Sequence, residues 1–147
     1  MSSGLQLRFL GEVDADVRSD VLAFSRWIRR TYTLPSPLLI RVSGDDVFFD
    51  DRDGESTERW WQSEHGRERV VVELAIGWIR CEAGGEWTVD ARREVLAAVG
   101  RGLKSYFQCI DNAPFRADHA RRWGDALASA FLEGGAPPTP RSGVNWH

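Results

Sequence analysis

The segment Val70-Val71-Val72-Glu73-Leu74-Ala75-Ile76 constrains the fold more than any other, because it is β-branched and apolar almost without interruption. A half-exposed strand alternates apolar and polar positions, whereas a continuous run belongs to a strand covered on both faces. It therefore predicts a central strand, with other strands beside it and helices packed on the sheet. Leu5 to Leu10 alternates and reads as a half-buried strand ended by Gly11. Val17, Val21, Phe24 and Ile28 then fall at helical spacing after Asp14 or Asp16, either of which caps a helix ending near Tyr32, before Pro35 and Pro37. Leu38 to Val42 and Val47 to Phe49 read as two short strands joined in a hairpin by Gly44-Asp45-Asp46. Asp50 to Arg69 is polar and aperiodic and reads as a loop with one helical turn at most.

Beyond Ile76, the stretch Cys81 to Trp87, with Gly84-Gly85, leads into a long helix from about Val89 to Ile110. Asn112-Ala113-Pro114 breaks it, and a second helix runs from Phe115 to Glu133 and closes at Gly134-Gly135. The expected class is α/β, with α+β as the alternative: a small mixed sheet of about four strands, one helix after the first strand and two C-terminal helices. The chain of 147 residues is one domain over 1–133, followed by a Gly/Pro-rich tail over 134–147 that cannot form its own core and whose Trp146 is its candidate anchor. Hydrophobic residues at 42 % and charged residues at 28 % are ordinary for a folded domain.

Charge and patterning exclude several functions. A net charge of -3 gives no footprint for nucleic acid or anionic lipid. No basic leader precedes an apolar stretch at the N-terminus, and no run approaches the roughly 20 apolar residues that span a bilayer, so a cytoplasmic location is expected. Cys81 and Cys109 form no CxxC pair and read as two buried free thiols. His65, His119 and His147 provide no local metal pair. Asp50-Asp51-Arg52-Asp53-Gly54-Glu55 has the flavour of a calcium loop, but the register puts Phe49 first and Trp60 twelfth, leaving a solvated turn at Asp53-Gly54. Gly100-Arg101-Gly102 lacks the third glycine of a dinucleotide fingerprint, since Ser105 stands there. Trp60 and Trp61 cannot both face one side of a regular element, which offers at least one to a partner.

The stretch Glu94 to Asn112 carries the one family likeness. With Leu103, Tyr106, Phe107 and Gln108 it resembles the active-site helix of small bacterial zincins, the HExxH metallopeptidase-like proteins, whose motif runs H-E-L-T-H-Y-F-Q. On that alignment the two zinc-binding histidines fall at Arg101 and Ser105 and the general-base glutamate at Gly102. The family's chemistry needs two imidazoles one turn apart and a carboxylate between them to activate water. Arginine offers no lone pair, serine is a poor zinc ligand and glycine has no side chain. Asp118 and His119 are the nearest candidates for a third ligand. The resemblance thus implies a zincin-like fold with a vestigial site at Arg101, Gly102, Ser105, Asp118 and His119 and no cofactor. The function expected is a non-enzymatic protein-interaction or regulatory module with a protein partner and with Trp60 and Trp61 as contact residues. The alternative is a hydrolase, metal-dependent or not, built from distant residues such as His65, Glu73, Asp118 and His119.

Both C-terminal helices carry small residues on one edge: Ala98, Gly102, Ser105 and Cys109 in the first, and Ala117, Ala120, Gly124 and Ala128 in the second. Glycine inside a helix costs about 1 kcal/mol relative to alanine, so Gly102 and Gly124 predict a close approach, centred on Gly102, between the two helices or between one of them and the tail.

Overall fold

The computed structural model describes residues 4–50, 54–63, 69–111 and 116–140. Four strands form a mixed sheet: β1 (Leu5–Leu10), β2 (Leu38–Ser43), β6 (Arg69–Ala75) and β5 (Glu58–Ser63), in the order β1-β2-β6-β5. The first three are parallel and β5 runs antiparallel to β6. Two further strands, β3 (Phe48–Asp50) and β4 (Gly54–Ser56), pair as a separate ribbon. The helices are α1 (Ala15–Thr31), α2 (Gly77–Glu82), α3 (Val89–Ile110) and α4 (Ala117–Glu133). No helix among the described residues is long and apolar enough to cross a membrane.

The expected α/β class, the helix after the first strand and the two C-terminal helices are all present. Asp14 is the cap of α1, its carboxylate accepting from the Asp16 and Val17 amides at 3.0 and 3.2 Å. Val17, Val21, Phe24 and Ile28 are fully buried from that helix. Thr88 caps α3 by accepting from the Ala91 amide at 3.1 Å. Gly134 ends α4 at φ 75°, a left-handed conformation that glycine adopts without a Cβ penalty. β6 lies between two strands and buries every residue from Val70 to Ala75, as a continuous apolar run requires.

Three expectations about strands and turns are corrected. β2 does not form a hairpin with β3, because both its edges are occupied, by β1 and by β6. The Gly44-Asp45-Asp46 segment instead crosses the ends of the parallel strands: the Gly44 amide donates to Leu10 O at 3.0 Å and the Gly77 amide to Asp45 O at 2.9 Å. The polar stretch between Asp50 and Arg69 holds β4 and the edge strand β5 rather than a loop. It lacks apolar alternation because an edge strand is partly solvated and because Arg59 neutralises a charge across the sheet. Glu73, nearly buried on β6, lies directly opposite Arg41 on β2 and Arg59 on β5, with ion pairs of 3.3 and 2.7 Å. The Arg59 guanidinium also stacks over the Phe48 ring at 4.3 Å, which holds the ribbon against that face. The six residues of α2 are too few to show helical periodicity. The break at Asn112-Ala113-Pro114, the start at Phe115, Asp53 and Trp146 lie outside the described residues.

Leu5, Ile40, Val72 and Leu74 share one core with Phe24, Leu103, Tyr106 and Trp123 of the helices. The tight crossing of α3 and α4 is real but is centred on Gly100 and not on Gly102. A Cβ on Gly100 would stand 2.9 Å from the Gly124 Cα, and one on Gly124 would stand 2.6 Å from Ala97 O and 2.7 Å from the Arg101 N. Gly102 lies against the sheet, where a Cβ would meet Val72 Cγ1 at 2.8 Å. Both contacts are closer than a methyl tolerates, one against backbone and one against a fully buried side chain. Gly124→Ala and Gly102→Ala are each expected to lower the unfolding free energy by about 1–3 kcal/mol in urea denaturation. Gly135→Ala, whose Cβ would sit at an ordinary 3.8 Å from Ala130, is the control, with a change below about 0.5 kcal/mol.

Candidate functional site

Glu58 opens β5 and turns its side chain toward α3, where the helix carries Arg101, Gly102 and Ser105. The Ser105 hydroxyl donates to Glu58 Oε1 at 3.4 Å and to its own turn at Arg101 O, 3.1 Å away. Two turns before Ser105's neighbour Arg101, Glu94 pairs with the Arg101 guanidinium at 3.2 Å. Glu58, Glu94 and Arg101 border a cleft of about 570 Å³ between α3, α4 and the start of β5, lined also by Trp78 of α2 and by Ala117 and Ala120 of α4. The alanines matter because their small side chains leave the cleft open.

Three of the five expected vestigial residues are therefore neighbours, but not in equal standing. Arg101 reaches the cleft. Ser105 is fully buried and holds Glu58 in place, and Gly102 is sealed against Val72, with Glu58 Oε1 only 3.7 Å from where its Cβ would be. Asp118 and His119, at the start of α4, stand outside this cleft wall. Asp118 is exposed beside Arg122 at 3.5 Å, and His119 is buried. Glu73 is on the opposite face of the sheet, committed to Arg41 and Arg59, so the distant set proposed for a hydrolase is not assembled by the residues the structure describes. His65 and His147 lie outside those residues. Among the described residues no group of three His, Cys, Asp or Glu side chains is placed to hold a metal ion. Cys81 and Cys109 are free, as expected, but not buried: Cys81 is exposed and Cys109 half-buried.

Trp60 and Trp61 are 39 % and 38 % exposed on β5, whose outer edge pairs with no strand among the described residues. They alternate across the strand, so each face of this edge presents one indole. A second depression, of about 620 Å³, lies at the carboxyl ends of the parallel strands, between Gly11, Gly44 and Gly77, with Arg18, Asp46 and Arg80 around it. It is the larger of the two, yet it holds no half-buried titratable group, and the chemistry concentrates in the Glu58 cleft.

Glu58 and Glu94 are not among the residues that the sequence pattern singles out. Glu94 had a signal: it precedes Arg101 by two helical turns and shares its face. Glu58 had none, because its role depends on which edge β5 occupies. Comparison with protein-family models, with curated proteins and with solved structures gives no match.

Glu58's carboxyl is held above its ordinary value of 4.5, foremost because burial disfavours the charged form, while Arg101 and the Ser105 hydroxyl pull the other way. A carboxyl whose folded value is raised binds its proton more tightly in the folded state. The stability it contributes is complete below the unfolded-state value and is lost as pH rises through the folded one. Glu58→Gln stays neutral throughout, so its stability relative to the native protein is expected to rise between about pH 4 and pH 7 in urea titrations. A difference that stays flat or falls over that range would mean that Arg101 outweighs burial.

Proposed function

We propose that the chain is a protein-interaction or regulatory module on a zincin-like scaffold, acting on a protein partner in the cytoplasm, in which Arg101 occupies the place of a metal cation. One observation carries this reading: the Arg101 guanidinium sits in the cleft with Glu94 at 3.2 Å and bears electrostatically on Glu58. A fixed monovalent cation already balances the carboxylates that would otherwise face a metal. Position 102, where the resemblance expects a general base, has no room for a side chain beside Val72. The position of Ser105 is committed to orienting Glu58.

Zinc titrated into the native protein by calorimetry is expected to show no site of micromolar or tighter affinity. One zinc per chain at that affinity would overturn the proposal.

The interaction surface in this reading is the β5 edge. Unpaired strand edges are templates for partner strands, and exposed tryptophans are the commonest anchors of interfaces. Trp60→Ala and Trp61→Ala are each expected to cost less than about 2 kcal/mol of stability while weakening partner binding about tenfold or more. A loss of several kcal/mol at both would assign the pair to the core.

A second reading, hydrolysis at a non-standard site, is favoured by one feature, a carboxyl held toward its protonated form at a cleft wall beside an arginine. It requires turnover that disappears in Glu58→Gln with the fold intact.

A further inference from the structure

Beyond Gly134 the chain turns back over the helices, and three successive carbonyls of the tail are each met by a side-chain donor from a different helix or its end. The Tyr32 hydroxyl, at the end of α1, donates to Pro138 O at 2.5 Å. The Trp123 indole N–H, on α4, donates to Thr139 O at 2.7 Å. The Lys104 ammonium, on α3, donates to Pro140 O. The donors are held by one another: the Tyr32 and Trp123 rings are 5.8 Å apart, Phe107 packs edge-on to both, and Lys104 Nζ lies 5.6 Å from the Trp123 ring. Lys104 is only 1 % exposed, and Trp123 is fully buried.

This chemistry is selective. Pro137, Pro138 and Pro140 have no amide hydrogen, so the segment Pro137-Pro138-Thr139-Pro140 presents carbonyl acceptors almost alone. The three side chains that meet it all act as donors, on an aromatic floor. Proline also presets an extended backbone, so little conformational entropy is lost on docking. None of the three hydrogen bonds involves a tail side chain, so the groove reads backbone shape and acceptor spacing and not a particular sequence. Room remains beside the tail, in a depression of about 310 Å³ between Arg122, Trp123, Ala126 and Pro138.

We propose that this groove is a binding site for extended proline-rich segments of the Pro-Pro-X-Pro type, occupied in the free protein by residues 137–140, so that a partner's proline-rich segment binds by displacing the tail. The proposal is independent of how the Glu58 cleft is used, and it does not involve the β5 edge.

The test uses the full chain and a fluorescent synthetic peptide, Gly-Gly-Ala-Pro-Pro-Thr-Pro, with the sequence of residues 134–140. In the variant Pro137→Gly, Pro138→Gly, Pro140→Gly the tail keeps its carbonyls but loses its preset backbone. Fluorescence anisotropy is expected to show this variant binding the peptide about tenfold or more tighter than the native chain, because the internal competitor is weakened. Adding Tyr32→Phe, which removes one donor and leaves the ring, is expected to weaken peptide binding about fivefold with an unchanged circular dichroism spectrum. A peptide with its prolines replaced by alanine is expected to bind about tenfold more weakly.

Equal affinity of the native chain and the tail variant, or of the proline and alanine peptides, would overturn the proposal. If the tail variant does not fold, the native chain answers the same question. Saturating peptide should then lower the heteronuclear NOE of the Ala136 and Thr139 amides as the tail is released, and an unchanged NOE at saturation, or no binding, rejects displacement. A dimer that the peptide dissociates would place a second copy's tail in the groove and overturn the assignment to a separate partner.

Discussion

Helix α3 has almost no solvent face along its middle. Residues 95–100 and 102–108 are all buried, since the sheet covers one side, α4 another, and α1 with the tail the rest. A helix enclosed on every side can approach its neighbours only where side chains are removed. That is why Gly100 meets Gly124 and Gly102 meets Val72. The same enclosure makes each polar side chain of α3 a demand that something else in the fold must meet. Ser105 is met by Glu58 and by its own helix. Tyr106 both donates to Ser36 O and accepts from the Ser36 amide, which ties α3 to the entry of β2. Burial holds the Lys104 ammonium below its ordinary value, and the tail carbonyl at Pro140 supplies its acceptor. Gln108 Oε1 is the one buried α3 side-chain oxygen with no partner among the described residues.

Local chemistry made much of this legible in the amino-acid sequence. The boundaries of α1 and α3, the glycine end of α4 and the interior place of β6 follow from caps, periodicity and β-branching, all of which act within a few residues. What was not legible depends on the sheet order. Leu38 to Val42 and Val47 to Phe49 look like hairpin partners only while β2 has a free edge, and the pairing with both β1 and β6 removes it. Arg59 and Glu58 look like loop residues until β5 is placed beside β6, where one of them faces Glu73 and the other faces α3. The glycine stripes lie on the helices that do cross, but spacing points to one crossing at Gly102 where two glycines on different faces serve two neighbours. Helical angles order residues around an axis without saying which neighbour lies at which angle.

The candidate site was half legible for the same reason. Arg101 and Ser105 were found because a motif frame indexes positions along one helix. The groups that give them meaning come from elsewhere: Glu58 from an edge strand, Trp78 from a helix of six residues, and the alanines of α4 from across a crossing. The donors for the tail come from three helices, and no spacing rule connects Tyr32, Lys104 and Trp123.

The Glu58 cleft and the tail groove share two walls, since α3 and α4 contribute to both. Sharing walls would couple the sites if α4 could rest in two positions, because coupling needs an element with two arrangements whose balance each ligand shifts. The crossing opposes this. Gly124 lies with its backbone against Ala97 O, the Arg101 amide and the foot of the Arg101 side chain, and it has no side chain of its own to change rotamer and accommodate a slide. Such a contact is lost by a small displacement and not traded for an equivalent one, unlike a ridge of long side chains that can step by a turn. Occupancy of the groove is therefore free to change the tail, which is held at its end by three hydrogen bonds, without moving the helix that carries Arg101. The two sites are independent to the extent that Gly100 and Gly124 remain glycine. A side chain at either position would wedge the helices apart and would be the change that couples them.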